Sequence, residues 1–145
     1  MIAILGSLIA IYFQMRQSHA QERANAQRDL LNQSREWWLL GVESEQTFDL
    51  ICAGLQKFSG LGRYQQARFH ALAANLLQVV TGAHFQHRDK LINSSSQEGF
   101  IRAFLAILNT PGGREWWQLS SKVGNQELAT YLRTLLVAEA GTLPP

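Results

Sequence analysis

The chain has 145 residues, which leaves room for one domain and an added segment but not for two full domains. Apolar residues make up 46% and charged residues 17%, so a core can form while the charged share falls below the usual quarter, as expected where surface meets lipid or partners. A formal net charge of +2 is too small to argue for nucleic acid, and the single cysteine, Cys52, excludes an internal disulfide and reads as a small buried hydrophobe.

Residues Ile2 to Phe13 form an uninterrupted apolar stretch, followed by Gln14, Met15 and Arg16. Three readings compete for it: a transmembrane anchor, a cleaved signal peptide with Ser18-His19-Ala20 as its small-x-small site, and a buried core helix. A signal peptide needs a basic start, yet only the α-amine precedes this run, and Arg16, Arg23, Arg28 and Arg35 all follow it. A terminal run with Gly6 and Ser7 in it, and with no polar face, suits lipid or a partner helix better than a core. The expectation is therefore an anchor over residues 1–15 in the inner (cytoplasmic) membrane. The arginine bias places the N-terminus outside and the C-terminal body in the cytoplasm. Fifteen helical residues span about 22 Å against a hydrocarbon core of about 30 Å. An anchor that short, carrying Gly6, Ser7 and Ala10, fits docking against another membrane subunit.

Residues 16–40 contain mostly good helix formers and no proline, so the anchor is expected to run on as a polar stalk. Its only stripe is Ala20, Ala24 and Leu31, and the stretch reads as a solvated spacer or a surface along a partner. A helical bundle follows over residues 41–140. Gly41 ends the stalk, and Ser44 caps a helix carrying Phe48, Ile51, Cys52 and Leu55. Ser59-Gly60-Leu61-Gly62 is a turn. A long helix from Arg63 to Leu91 aligns Phe69, Leu72, Leu76, Val79, Val80 and Ala83 on one face and is the central core helix. Asn93-Ser94-Ser95-Ser96 breaks it, and Ser95 with Glu98 makes a capping box for a helix through Phe100, Phe104 and Leu108. Thr110-Pro111 starts another helix, and Asn125 caps the last, which carries Leu128, Leu132, Leu135 and Leu136. Residues 141–145 form a tail that cannot continue it. The expected fold is all-α, a transmembrane helix and stalk leading into a bundle of about four to five helices.

The order of these features has a counterpart. A short anchor ending in Gln14-Met15-Arg16-Gln17 leads into a polar helix. Later come Arg68-Phe69-His70-Ala71-Leu72, a stretch ending His84-Phe85-Gln86-His87-Arg88, and Thr110-Pro111-Gly112-Gly113-Arg114-Glu115-Trp116-Trp117. This resembles a broad, uncharacterised family of bacterial single-pass membrane proteins with an "SPGGRxWW"-like segment near the end. The resemblance spans most of the chain but has no correspondence over residues 37–60. It also departs at His84 and His87, where tyrosines are common. It implies the anchor and an all-α cytoplasmic body, and it implies no reaction.

Little in the chain suggests chemistry. His84 and His87 stand at i, i+3 with His70 on a neighbouring azimuth, a possible metal pair; Asp89 is the only acid beside them, and a polar seam is the plainer reading. Arg63, Arg68 and Arg88 with Tyr64 and Phe85 could hold a nucleic acid or a lipid headgroup, but acids nearly balance them and a solvated face is expected. There is no Walker sequence, dinucleotide-binding glycine pattern, Cys-x-x-Cys or nucleophile elbow. Arg-Glu-Trp-Trp occurs twice, at Arg35–Trp38 and Arg114–Trp117, and these pairs hold all four tryptophans. Adjacent tryptophans on a helix point roughly 100° apart, so one can enter the core while the other covers an edge.

The expectation is a non-enzymatic accessory or scaffolding subunit on a larger respiratory, photosynthetic or transport complex. Its partners are other membrane subunits and the lipid bilayer, with no nucleic acid, no cofactor and no metal. Gly6, Ser7, Ala10, Trp37, Trp38, Trp116 and Trp117 are its candidate interface residues. The alternative is a module binding a small ligand or lipid headgroup along His84, His87 and Arg88.

Overall fold

The structure, a computed structural model, describes the backbone of residues 2–142 and the side chains of residues 9–138. Its first element, α1 (Ile2–Val42), is one helix of 41 residues. No proline interrupts it and its two glycines lie near its ends, so nothing breaks the ladder. It is followed by α2 (Glu45–Gln56), a 3₁₀ turn (Phe58–Gly60), α3 (Arg63–Arg88), α4 (Ser94–Leu108), α5 (Pro111–Ser120) and α6 (Gln126–Thr142). The fold is all-α, with six α-helices and no strand among the described residues. Also among the described residues, no helix is long and apolar enough to cross a membrane. Gly6 and Ser7, two of the expected docking positions, lie outside the described side chains.

The helix starts follow the sequence closely. The Ser44 hydroxyl accepts from the Thr47 N–H, the Thr110 hydroxyl from the Gly113 N–H, and the Asn125 side chain from the Leu128 N–H. At α4 the cap is Asn93 rather than Ser95: its carbonyl oxygen accepts from the Ser96 N–H at 2.8 Å, and the helix begins one residue before the expected box. α3 stops at Arg88, three residues short of the expected end. Lys90, in the left-handed region at φ 61°, turns the chain there, and the Leu91 N–H closes back on the Gln86 carbonyl. α6 runs on through Gly141 to Thr142, past the expected start of the tail.

α3 is the central element. It buries Phe69, Ala73, Leu76, Val79, Val80 and Ala83, with Leu72 only half-buried. One core gathers its first half with α2, α4, α5 and α6 around Phe104, Leu108, Trp116, Leu128 and Leu132. A smaller core joins its second half to α1 and the α3–α4 turn through Ala26, Leu30, Val79, Ala83 and Ile92. The expected free stalk is thus corrected. Residues 9–25 of α1 are exposed on all sides, but from Ala26 onward the helix is a wall of the bundle. The stripe expected to define the stalk is not the one that packs. Ala26, Leu30 and Trp37 face α3, whereas Ala20, Ala24 and Leu31 face away from it. α2 is similarly rotated from its expected register: Thr47, Leu50 and Gly54 are buried, while Phe48 is exposed.

α2 and α5 cross in backbone contact. A methyl group on Gly112 would overlap the Gly54 carbonyl, and one on Gly54 would overlap the Phe69 ring. A methyl on Gly113 would meet the Ile107 carbonyl at the end of α4. Pro111-Gly112-Gly113 is therefore a helix start thinned to pass beneath α2.

Candidate binding surfaces

Two features of the surface stand out, a face of α1 and a groove along α3. On α1, Phe13, Gln17, Ala20, Ala24, Leu31, Trp38 and Val42 fall within roughly 40° of one azimuth at 3.6 residues per turn. All of them are exposed. From Ala20 to Trp38 the steps are four, seven and seven residues, a heptad-like spacing with the polar Gln27 and Ser34 between, as in a seam that can receive another helix. Leu31 and Trp38, 55% and 56% exposed, carry the apolar bulk on this line. Beside Leu31 the line opens into a shallow cleft of about 280 Å³ shared with Ser95, Gly99 and Phe100 of α4. The packed face, through Leu30 and Trp37, lies roughly 110° around the helix. One side of α1 holds the body and another is free.

Only one expected tryptophan belongs to that free side. Trp37 is buried and donates its indole N–H to the Leu72 carbonyl at 2.8 Å. Trp116 and Trp117 are both buried in the main core, and Trp37, Trp116 and Trp117, at 6%, 1% and 7% exposure, keep too little surface to anchor a protein partner. The reason is enclosure: α5 packs on α2, α4 and the 3₁₀ turn, so both of its tryptophan azimuths meet protein. Ala10 is exposed on the apolar end of α1, with Ile9, Ile11, Tyr12, Phe13 and Met15 exposed around it.

The groove, about 780 Å³, runs along α3 from Arg63 past His70 and Leu77 to Thr81. Trp116, Leu119 and Val123 of α5 and the following turn form its other wall. The Trp116 indole N–H donates to His70 Nδ1 at 3.1 Å. An indole only donates, so Nδ1 accepts and the neutral ring carries its proton on Nε2. Next to the far end lies a pocket of about 10 Å³ bordered by Trp117, whose buried indole N–H has no partner among the described residues. Ala67 and Ala74 leave the groove open where longer side chains would fill it.

His84, His87 and Arg88 are not in this groove. His84 accepts from the Gln97 amide at Nδ1 and reaches Glu127 through Nε2, 3.3 Å each, with its ring 5.3 Å from Tyr131. Arg88 lies over the Phe85 ring and 3.9 Å from Glu127, while His87 turns to the Ile92 carbonyl. Two of the three thus meet at Glu127, tying α3 to α6 in a polar seam at the surface. Among the described residues no three His, Cys, Asp or Glu side chains gather as a metal site. Sequence reasoning singled out the histidine pair and passed over the groove, whose signal is the second stripe of α3: Arg63, Ala67, His70, Ala74, Leu77 and Thr81 at three- and four-residue steps.

Compared with protein-family models, curated proteins and solved structures, the chain matches none.

Proposed function

We propose that this protein is a non-enzymatic, membrane-anchored accessory subunit whose helical body docks on a larger membrane complex through the free face of α1. The observation that carries the reading is that face: an exposed line from Phe13 to Val42 on a helix whose other side is locked into the body. Soluble helices hide their apolar residues, and this one leaves Leu31 and Trp38 uncovered at coiled-coil spacing. The N-terminal end supports the anchor. Ile9, Ile11, Tyr12, Phe13 and Met15, with Ala10, are exposed over most of the circumference of the helix, an arrangement stable in lipid or against other helices but not in water. Arg16 directly after them supplies a charge at the boundary, and the downstream arginines favour a cytoplasmic body in the inner membrane. The resemblance to single-pass bacterial proteins points the same way.

The test compares wild type with a Leu31→Asp/Trp38→Asp double variant, expressed at native level. Wild type is expected to stay with membranes through alkaline carbonate washing and to co-migrate with one stoichiometric membrane complex on blue-native gels. The variant is expected to stay in the membrane, keep its helical circular dichroism and lose the complex. Wild-type protein that is monomeric and partner-free, both in mild detergent and in native membranes, ends the reading.

A further inference from the structure

We propose that the groove along α3 binds a single-chain amphiphile with a carboxylate head, a long-chain fatty acid, its head at Arg63 and His70 and its chain laid toward Leu77 and Val123. The inference does not depend on what docks on α1. Size is the first argument: about 780 Å³ falls in the range of small-ligand pockets. Shape is the second. The groove follows α3 from Arg63 to Thr81, about 27 Å at 1.5 Å per residue, so its occupant is elongated.

Charge chooses the head. Arg63 and His70 line the groove and no Asp or Glu does. Among the described residues Arg63 forms no ion pair. The Trp116 indole holds His70 so that Nε2–H is its free donor. Each group offers a donor that a carboxylate head at this end of the groove can accept from, the guanidinium in particular. The cleft on the other side of α3, about 520 Å³ and lined by Glu36 and Glu43, repels the same ligand.

The apolar walls choose the chain. Past His70 the groove is bordered by Ala74, Leu77, Trp116, Leu119 and Val123. Leu119 and Val123 are 63% and 88% exposed at the rim, apolar surface that an acyl chain would cover.

The experiment uses the full chain held in amphipol, in a Trp38→Phe background, so that the remaining tryptophans are all buried and only Trp116 borders the groove. Mid-chain-brominated palmitic acid is titrated while tryptophan fluorescence is read. Saturable quenching is expected, with affinity about tenfold weaker for the methyl ester and for Arg63→Glu, the size of one lost charge-assisted contact. Ala67→Phe, a filling change at an exposed position of α3, is expected to abolish it while circular dichroism and melting stay unchanged. Non-saturating quenching that is the same in Ala67→Phe would mean partition into the amphipol and overturn the proposal. Equal affinity of acid and ester would overturn the anionic head. If the acid fails to quench while Ala67→Phe removes a co-migrating membrane complex, the groove is a protein-docking surface and the proposal falls.

Discussion

The two Arg-Glu-Trp-Trp segments are the same four residues in two different lives. On α1, Trp37 enters the core and Trp38 stands out at 56% exposure. On α5, Trp116 and Trp117 are both buried, at 1% and 7%. Helix geometry is identical in the two places and splays each pair by roughly 100°. What differs is the number of neighbours around each helix. α1 touches the body along one side, on α2 and α3, whereas α5 is a ten-residue helix enclosed by α2, α4 and the 3₁₀ turn. The glutamates diverge as well. Glu115 accepts the Ser59 N–H at 2.7 Å and pins the 3₁₀ turn to α5, while Glu36 lines the cleft between α1 and α3. The lesson is that a motif repeated in sequence need not repeat in role, because burial belongs to the surroundings.

The comparison can be broken most forcefully at α5. Trp116→Ala is expected to cost about 3–5 kcal/mol in denaturant unfolding of the detergent-held chain, as for other buried aromatics. Gly112→Ala should be comparably damaging, since its methyl overlaps the Gly54 backbone. A loss below about 1 kcal/mol in both would refute the backbone crossing of α2 and α5. At the other copy, Trp37→Phe keeps an aromatic body but removes the bond to the Leu72 carbonyl, and should cost about 1 kcal/mol.

Trp38→Ala is expected to cost less still, under about 1 kcal/mol, and what it loses is chiefly the edge-to-face contact with Trp37 at 5.0 Å. Its consequence should appear in co-migration with a partner rather than in stability, the reverse of Trp116→Ala. The smallest effect concerns Glu115. The Ser59 backbone N–H, then the Ser59 side chain, hold its carboxyl below the ordinary 4.5, aided by Lys57. A carboxyl lowered on folding stabilises the fold above its unfolded value and loses that contribution as pH falls through the folded one. Glu115→Gln should therefore melt slightly below wild type at neutral pH, and the gap should close on acidification below about 4.5. A gap that stays constant down through that range would show that the carboxylate's charge is not what matters.

Much of the architecture was legible because it is local. Ser44, Thr110-Pro111 and Asn125 announced helix starts, since each satisfies backbone N–H groups within three residues of itself. The core face of α3 was legible for a related reason: enough apolar residues recur at helical spacing to outweigh any single exception. Where apolar and small residues were sparse, the reading slipped. On α1 the only stripe in view was Ala20, Ala24 and Leu31, and the stretch read as a spacer or a partner surface, but the bundle packs on Ala26, Leu30 and Trp37. α2 turned by one residue because Gly54, not an apolar side chain, is what lets Phe69 and α5 come close. The groove went unseen because it is made by what Ala67 and Ala74 do not fill, and by a wall from α5 some fifty residues away in the chain.

By itself the sequence determined that the chain is helical, where most helices begin, which helix is central, and that its first stretch is apolar on every side. Those properties follow from propensity, capping and periodicity, all short-range. Only the tertiary structure decided which tryptophans are covered, which face of α1 is free, that His84 and Arg88 answer to Glu127, and that His70 and Trp116 meet beside a groove. Each of these depends on which residues distant in sequence become neighbours, and a helix carries no local record of what will be packed against it.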